Sequence, residues 1–179
     1  MKKLSFLSTA VVLVLMMNGC SMFRTYPPMT TTGRVDLQSF MGDWYVIANI
    51  PTFIEKGAYN AIESYALNED GTIATTFTFN KGAFDGPQKR YTPKGFIRDK
   101  ETNAIWGMRF VWPFKSDFRI AHVSEDYSQT IIARKKRDYV WIMARTPVIS
   151  ENDFARLKKL TADLGYDVSK LNRVPQRKT

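Results

Sequence analysis

Between Trp44 and Arg145 the chain breaks into eight short stretches in which large apolar residues alternate with polar ones, separated by turn residues. A period of two places successive side chains on opposite faces of a strand, so this rhythm commits the chain to an all-β architecture. The pattern is clearest at 104–112, where Trp106, Met108, Phe110 and Trp112 share a face and Arg109 marks the other as solvated. Strands are expected at 44–50, 61–67, 72–80, 89–98, 104–112, 117–123, 128–134 and 139–145. Asn68-Glu69-Asp70-Gly71 is a hairpin signal, and Pro93 marks a weak ladder position in the fourth strand. Eight strands with short turns leave a meander, a sandwich or an up-and-down barrel open.

The period changes outside this block. Asp36 caps a short helical turn that Gly42 ends. After Pro147, Ser150 and Asp153 form an acidic variant of a capping box. Phe154, Leu157, Leu160 and Leu164 then give a helical apolar stripe that ends at Gly165 and must pack on the outside of the sheet. Residues 168–174 are read as one short edge strand. With 179 residues and no internal repeat, one domain is expected, and one His and one Cys rule against a His/Cys zinc site. No cofactor is expected.

The N-terminus is a targeting segment, with Lys2 and Lys3 before an apolar run over 4–17. That run is shorter than the roughly 18 residues of a membrane span. Asn18-Gly19-Cys20 follows and resembles a bacterial lipoprotein lipobox, which implies cleavage after residue 19 and acylation of Cys20 with fatty acyl groups such as palmitate. Ser21 after the cysteine implies transfer to the outer membrane, at its periplasmic face. Residues 20–35, with Pro27-Pro28 and a run of threonines, are then a lipidated tether, 36–175 the folded domain and 176–179 a tail. The chain is basic, +9 overall, and stays basic once Lys2 and Lys3 are removed. Export argues against nucleic acid as the partner of that charge and leaves anionic lipid or envelope polymers.

Three separated signals then converge. Gly42-x-Trp44 at the first strand, Glu125-Asp126-Tyr127 between the sixth and seventh, and Arg145 closing the eighth resemble the three lipocalin motifs in order. Glu125 stands where that family usually has Thr. The resemblance is closest to the bacterial outer-membrane lipocalins. It implies an eight-stranded antiparallel up-and-down barrel with the C-terminal helix packed outside. It also implies that Gly42, Trp44, Asp126, Tyr127 and Arg145 are structural, with Arg145 lying across the Trp44 indole at the closed end.

A barrel of eight strands has room for one small ligand. On the expected inward parity stand Glu63, Tyr65, Phe77, Phe79, Trp106, Met108, Phe110, Phe118, Ile120, His122, Tyr139 and Trp141, an aromatic wall suited to an acyl chain. A carboxylate inside a barrel is costly unless paired or wet, so Glu63 is expected to meet a headgroup, a cation or His122. The expected function is a membrane-anchored protein holding fatty acids or lysophospholipids for storage or transport, with a homodimer about the mouth left open. The alternatives are an interaction lipoprotein with a filled barrel and, through a Glu63/His122 acid–base pair, a lipid-modifying enzyme. The chain has no Gly-x-Ser-x-Gly elbow, which argues against the usual hydrolases.

Overall fold

The computed structural model describes residues 28–177. Cys20, its acylation and the targeting segment lie outside the described residues. After a helical turn α1 (Leu37–Phe40) the strands follow in order: β1 (Gly42–Ile50), β2 (Ala58–Leu67), β3 (Ile73–Lys81), β4 (Gln88–Tyr91), β5 (Lys94–Ile97), β6 (Ile105–Val111), β7 (Phe114–Val123), β8 (Gln129–Ala133) and β9 (Val140–Ala144). Helix α2 (Glu151–Asp163), a 3₁₀ turn (Val168–Lys170) and β10 (Asn172–Arg173) complete the chain. Neighbours pair antiparallel from β1 to β9, and β9 pairs back onto β1 from Tyr45↔Ala144 to Ile50↔Val140, so the sheet closes and leaves no long edge.

The fourth strand expected at 89–98 is two collinear pieces. Both β4 and β5 pair with β3, and Thr92-Pro93 separates them because proline has no N–H to give to the ladder; its carbonyl still accepts from Thr75 N at 3.2 Å. Counting β4 and β5 as one strand gives the eight-stranded up-and-down barrel. The sixth expected strand is longer than its pattern suggested: β7 starts at Phe114, and Val111 pairs with Phe114 across a two-residue turn at Trp112-Pro113.

The short strand expected within 168–174 is present as β10, preceded by the 3₁₀ turn, and the segment after it is tied into the sheet where a tail was expected from residue 176. The β1–β2 pairing stops at Tyr45↔Ile62, and the two strands splay. Beyond that point Ala48 pairs with Arg173, Asn60 N donates to Pro175 O, and the Gln176 side-chain amide bridges Val46 O (2.9 Å) and Ala61 O (3.0 Å). Residues 172–176 therefore caulk an open seam, meeting backbone groups that would otherwise be orphaned.

Two apolar clusters result. One fills the barrel's closed half, including Phe40, Trp44, Tyr65, Trp106 and Ile120. The other lies between the outer wall and α2, where Leu157 packs with Ile131, Ala133 and Ile142. Ser150 caps α2 by accepting from Asp153 N at 3.0 Å, and Gly165 leaves the helix at φ +90°, as the sequence signals indicated.

The closed end is tied by Arg145. Its guanidinium lies 3.8 Å from the Trp44 ring and donates to Asp43 O (2.8 Å), Ser39 O (2.7 Å), Met41 O (2.8 Å) and Tyr127 O (3.3 Å). Gly42 sits at φ +93°, a backbone conformation that favours glycine, and its missing side chain lets Arg145 Nη1 pack close against the strand start. Tyr127 Oη accepts from Asp36 N at 2.8 Å, and Asp126, held near pKa 2 chiefly by hydrogen bonds from Ser124 and Ser128, locks the turn that presents Tyr127. Trp44→Ala is expected to cost about 3–5 kcal/mol through cavity formation. Arg145→Lys, which cannot fork to several carbonyls, is expected to cost roughly 2 kcal/mol. Urea denaturation of both variants checks this, and parental midpoints would refute the clamp.

Candidate functional site

The closed half is packed solid by rings. Phe40 and Trp44 are 5.1 Å apart, Tyr65 meets Trp106 edge-on at 5.7 Å, and Trp106 stacks on Phe118 at 5.1 Å with 11° between planes. Phe118 is where packing ends, because its other face looks into a cavity of about 530 Å³ that opens at the far end. Its walls include Phe77, Tyr91, Met108, Phe118, Tyr139 and Trp141, and its rim includes Phe53, Ile54, Phe110 and Val111.

Of the expected inward residues, Glu63, Phe77, Met108, Phe110, Phe118, Tyr139 and Trp141 line this cavity. Tyr65, Phe79, Trp106 and Ile120 also point inward but lie in the packed core. His122 is a correction. The β7–β8 register shifts between Ile120 and His122, so His122 pairs with Ile131, which faces outward under α2. Burial and the neighbouring Arg156 of α2 lower its pKa, and its Nε2 has no hydrogen-bond partner. A strict alternation carried across that bulge gives the wrong face. Glu63 and His122 are therefore on opposite sides of the wall and form no acid–base pair. Trp112 is a second correction, for a different reason: it lies in the two-residue turn beyond β6, where alternation no longer applies, and is 77% exposed.

Glu63 does enter the barrel, between Trp44 and Phe77 on the neighbouring strands. It is half-buried because its open surface faces the cavity and not bulk water, and desolvation raises its pKa to about 7. The nearby Tyr65 hydroxyl opposes this, while the charge of Glu55 adds to it. Tyr65 Oη lies outside hydrogen-bonding geometry with any described group.

Two polar residues of the cavity were not anticipated. Glu55, on the loop after β1, turns inward and accepts from Trp141 Nε1 (2.9 Å), Asn49 Nδ2 (3.2 Å) and Thr52 N (3.4 Å). Burial raises its pKa against those donors. Its only sequence signal is a lone acid after Phe53-Ile54, which reads as an ordinary loop charge. Arg134, at the end of β8, lines the mouth with its guanidinium 5.1 Å from the Tyr139 ring. Its Nε is 3.4 Å from Asp138 but in a geometry that makes no hydrogen bond, so a buried donor is left unmet.

The raised pKa of Glu63 has a consequence for stability. In the unfolded chain the carboxyl takes its ordinary value of 4.5, and in the folded protein it titrates at about 7. Below 4.5 both states are protonated; between the two values the unfolded state loses its proton first, so stability falls as pH rises. Glu63→Gln is expected to flatten the stability profile in that window, as measured by denaturant melts at intervals of pH. An unchanged slope would place the titration elsewhere.

Comparison with known proteins gives a consistent picture. A lipocalin-like domain family matches residues 35–176. Temperature-induced lipocalin-1 of Arabidopsis thaliana is 29% identical over 157 residues, covering 84% of each chain. Outer membrane lipoprotein Blc of Escherichia coli K12 is 28% identical over 154 residues, covering 84% of this chain and 85% of that one. Among solved structures, insecticyanin of the tobacco hornworm Manduca sexta superposes with a TM-score of 0.66 at 17% identity, covering 85% of this chain and 87% of its own.

Proposed function

The chain belongs to the lipocalin family, and on that premise we propose that it binds a single-chain lipid, a fatty acid or lysophospholipid, in its barrel and carries or stores it in the cell envelope. The observation that carries this reading is the cavity of about 530 Å³, apolar and aromatic along its walls, closed at Phe118 and open at the mouth. That volume lies within the roughly 300–1,000 Å³ typical of small-molecule sites. It also counts against a filled barrel serving only as an interaction module. The separation of Glu63 from His122 removes the acid–base pair that the enzymatic alternative needed.

The polar groups orient the ligand. Glu63 and Glu55 make the interior a poor place for an anion, whereas Arg134 at the mouth holds an unmet donor. The acyl chain therefore runs down toward Phe118, and a carboxylate or phosphate stays near Arg134. Relatives described as outer membrane lipoproteins support the same address for this protein, with Cys20 as the acylated residue.

The test is titration of the purified protein with a fluorescent fatty acid and with lysophospholipid. Met108→Trp, which fills the cavity, is expected to abolish binding at a stability cost of about 1–3 kcal/mol. Arg134→Gln is expected to weaken anionic ligands roughly tenfold while leaving a neutral monoacylglycerol unaffected. Binding of neither lipid by the parent protein would overturn the reading.

A further inference from the structure

The mouth carries apolar surface that remains largely exposed to solvent. At the β6–β7 tip Val111 is 68% exposed, Trp112 77% and Phe114 76%, and across the opening Phe53 on the β1–β2 loop is 80% exposed. Folded chains rarely expose so much aromatic surface together without a partner for it. Phe53 and Val111 line the same cavity, so the two patches meet around one opening. Trp112 and Phe114 do not line it.

Cations surround this tip. Lys56, Lys115, Lys135 and Lys136 are all exposed on the mouth loops or beside them, and none has a carboxylate within ion-pair distance among the described residues. Nearby acids are mostly engaged: Asp117 is held by Arg119 and by Lys135 N, Asp138 lies against Arg134, and Glu55 is buried, which leaves Asp85. Lys115 Nζ lies 3.7 Å from the centroid of the Phe96 ring, a contact that leaves its charge without a counter-ion. An apolar tip in a ring of lysines that lack carboxylate partners matches the layering of an anionic bilayer, with acyl chains beneath phosphate headgroups. The same ring disfavours a second copy, since two mouths face to face would bring like charges together.

The N-terminal segment runs in the right direction. Val35 N donates to Thr102 O in a closed-end turn (2.7 Å), Thr32 N to Ile120 O part-way along β7 (3.1 Å), and Met29 packs in the outer cluster with Ala133. Followed backward, the chain climbs the outer wall toward the mouth. From Pro28, the stretch back to Cys20 spans at most about 28 Å. From Ile120 to Phe114 at the strand's mouth end is about 20 Å. A stretch of that contour length is long enough for an acyl anchor at Cys20 to meet the plane of the tip.

We propose that the barrel docks mouth-first on an anionic lipid surface, with Trp112, Phe114, Phe53 and Val111 in the acyl region and the four lysines at the headgroups. Docked in this way, the cavity opens onto hydrocarbon, and an acyl chain passes between bilayer and barrel without crossing water. The role in ligand exchange rests on the lipid-binding reading; the docking itself does not.

The test uses the mature protein on vesicles of phosphatidylcholine with or without phosphatidylglycerol, with brominated acyl chains as fluorescence quenchers. Trp44 and Trp106 are fully buried and Trp141 lines the cavity, so quenching reports on Trp112 and, where an acyl chain enters the barrel, on Trp141. The expected result is strong quenching on anionic vesicles, most of it lost in Trp112→Phe and part of it in Phe114→Ser. Lys115→Glu combined with Lys135→Glu is expected to remove the preference for anionic vesicles. Fatty-acid binding in solution should be unchanged in all these variants, since none of the substituted residues holds the ligand. Absence of quenching with fatty-acid binding intact overturns the docking alone, whereas loss of fatty-acid binding in the parent protein overturns the functional reading. Sedimentation as a dimer that shields Trp112 would assign the tip to a second copy and also overturn the proposal.

Discussion

The guanidinium of Arg145 is the contact on which the rest depends. Closing a sheet removes its edges but creates two open ends, and an end full of strand termini must satisfy its own backbone groups. Arg145 does this at one end with a single side chain. It covers the Trp44 indole and donates to carbonyls from α1, from the start of β1 and from the β7–β8 turn, segments far apart in sequence. A cation–π contact of this kind is worth ~1–2 kcal/mol when partly desolvated. Its larger effect is geometric: it fixes where α1 lies across the barrel floor.

Once the floor is fixed, the position of the cavity follows from ring packing. Phe40, Trp44, Tyr65, Trp106 and Phe118 fill the closed half, whereas above Phe118 the rings of Phe77, Tyr91, Tyr139 and Trp141 stand along the walls and leave the cavity between them. The β1–β2 splay, caulked by residues 172–176, belongs to the same economy. The strands separate toward the mouth, widening the cup, and the C-terminal segment meets the hydrogen bonds that widening would otherwise strand.

The sequence made the architecture legible because alternation, turn residues and caps are local signals. Eight strands and the α2 boundaries at Ser150 and Gly165 follow from them, whereas the pairing of Trp44 with Arg145 was implied only by the resemblance to the lipocalin motifs. The site was legible only where alternation ran unbroken. Glu63, Phe77, Met108 and Phe118 were placed correctly because no bulge intervenes between them and the centre of their strands. His122 was misplaced because it follows a register shift at Ala121, which inverts parity and leaves no signature in residue type, and Trp112 because it falls in the turn beyond β6, where alternation ends. Glu55 and Arg134 were missed for a different reason. Both belong to loop or strand-end positions, whose side-chain direction is set by tertiary contact and not by period.

On the proposed lipid-binding reading, the acidic interior disfavours an anionic headgroup deep in the barrel. A cavity meant to hold a buried carboxylate would place a cation at its floor; here the floor is Phe118, and the charged groups above it are Glu63 and Glu55. Near neutrality Glu63 exchanges its proton readily, so it tolerates an ester or hydroxyl of a bound lipid in either state but repels a second anion once ionised. On the same reading Arg134 supplies the opposite preference at the mouth, where Asp138 lies 3.4 Å from its Nε and offsets part of its charge. The tail-in orientation proposed for the ligand therefore rests on where the wall keeps its charges.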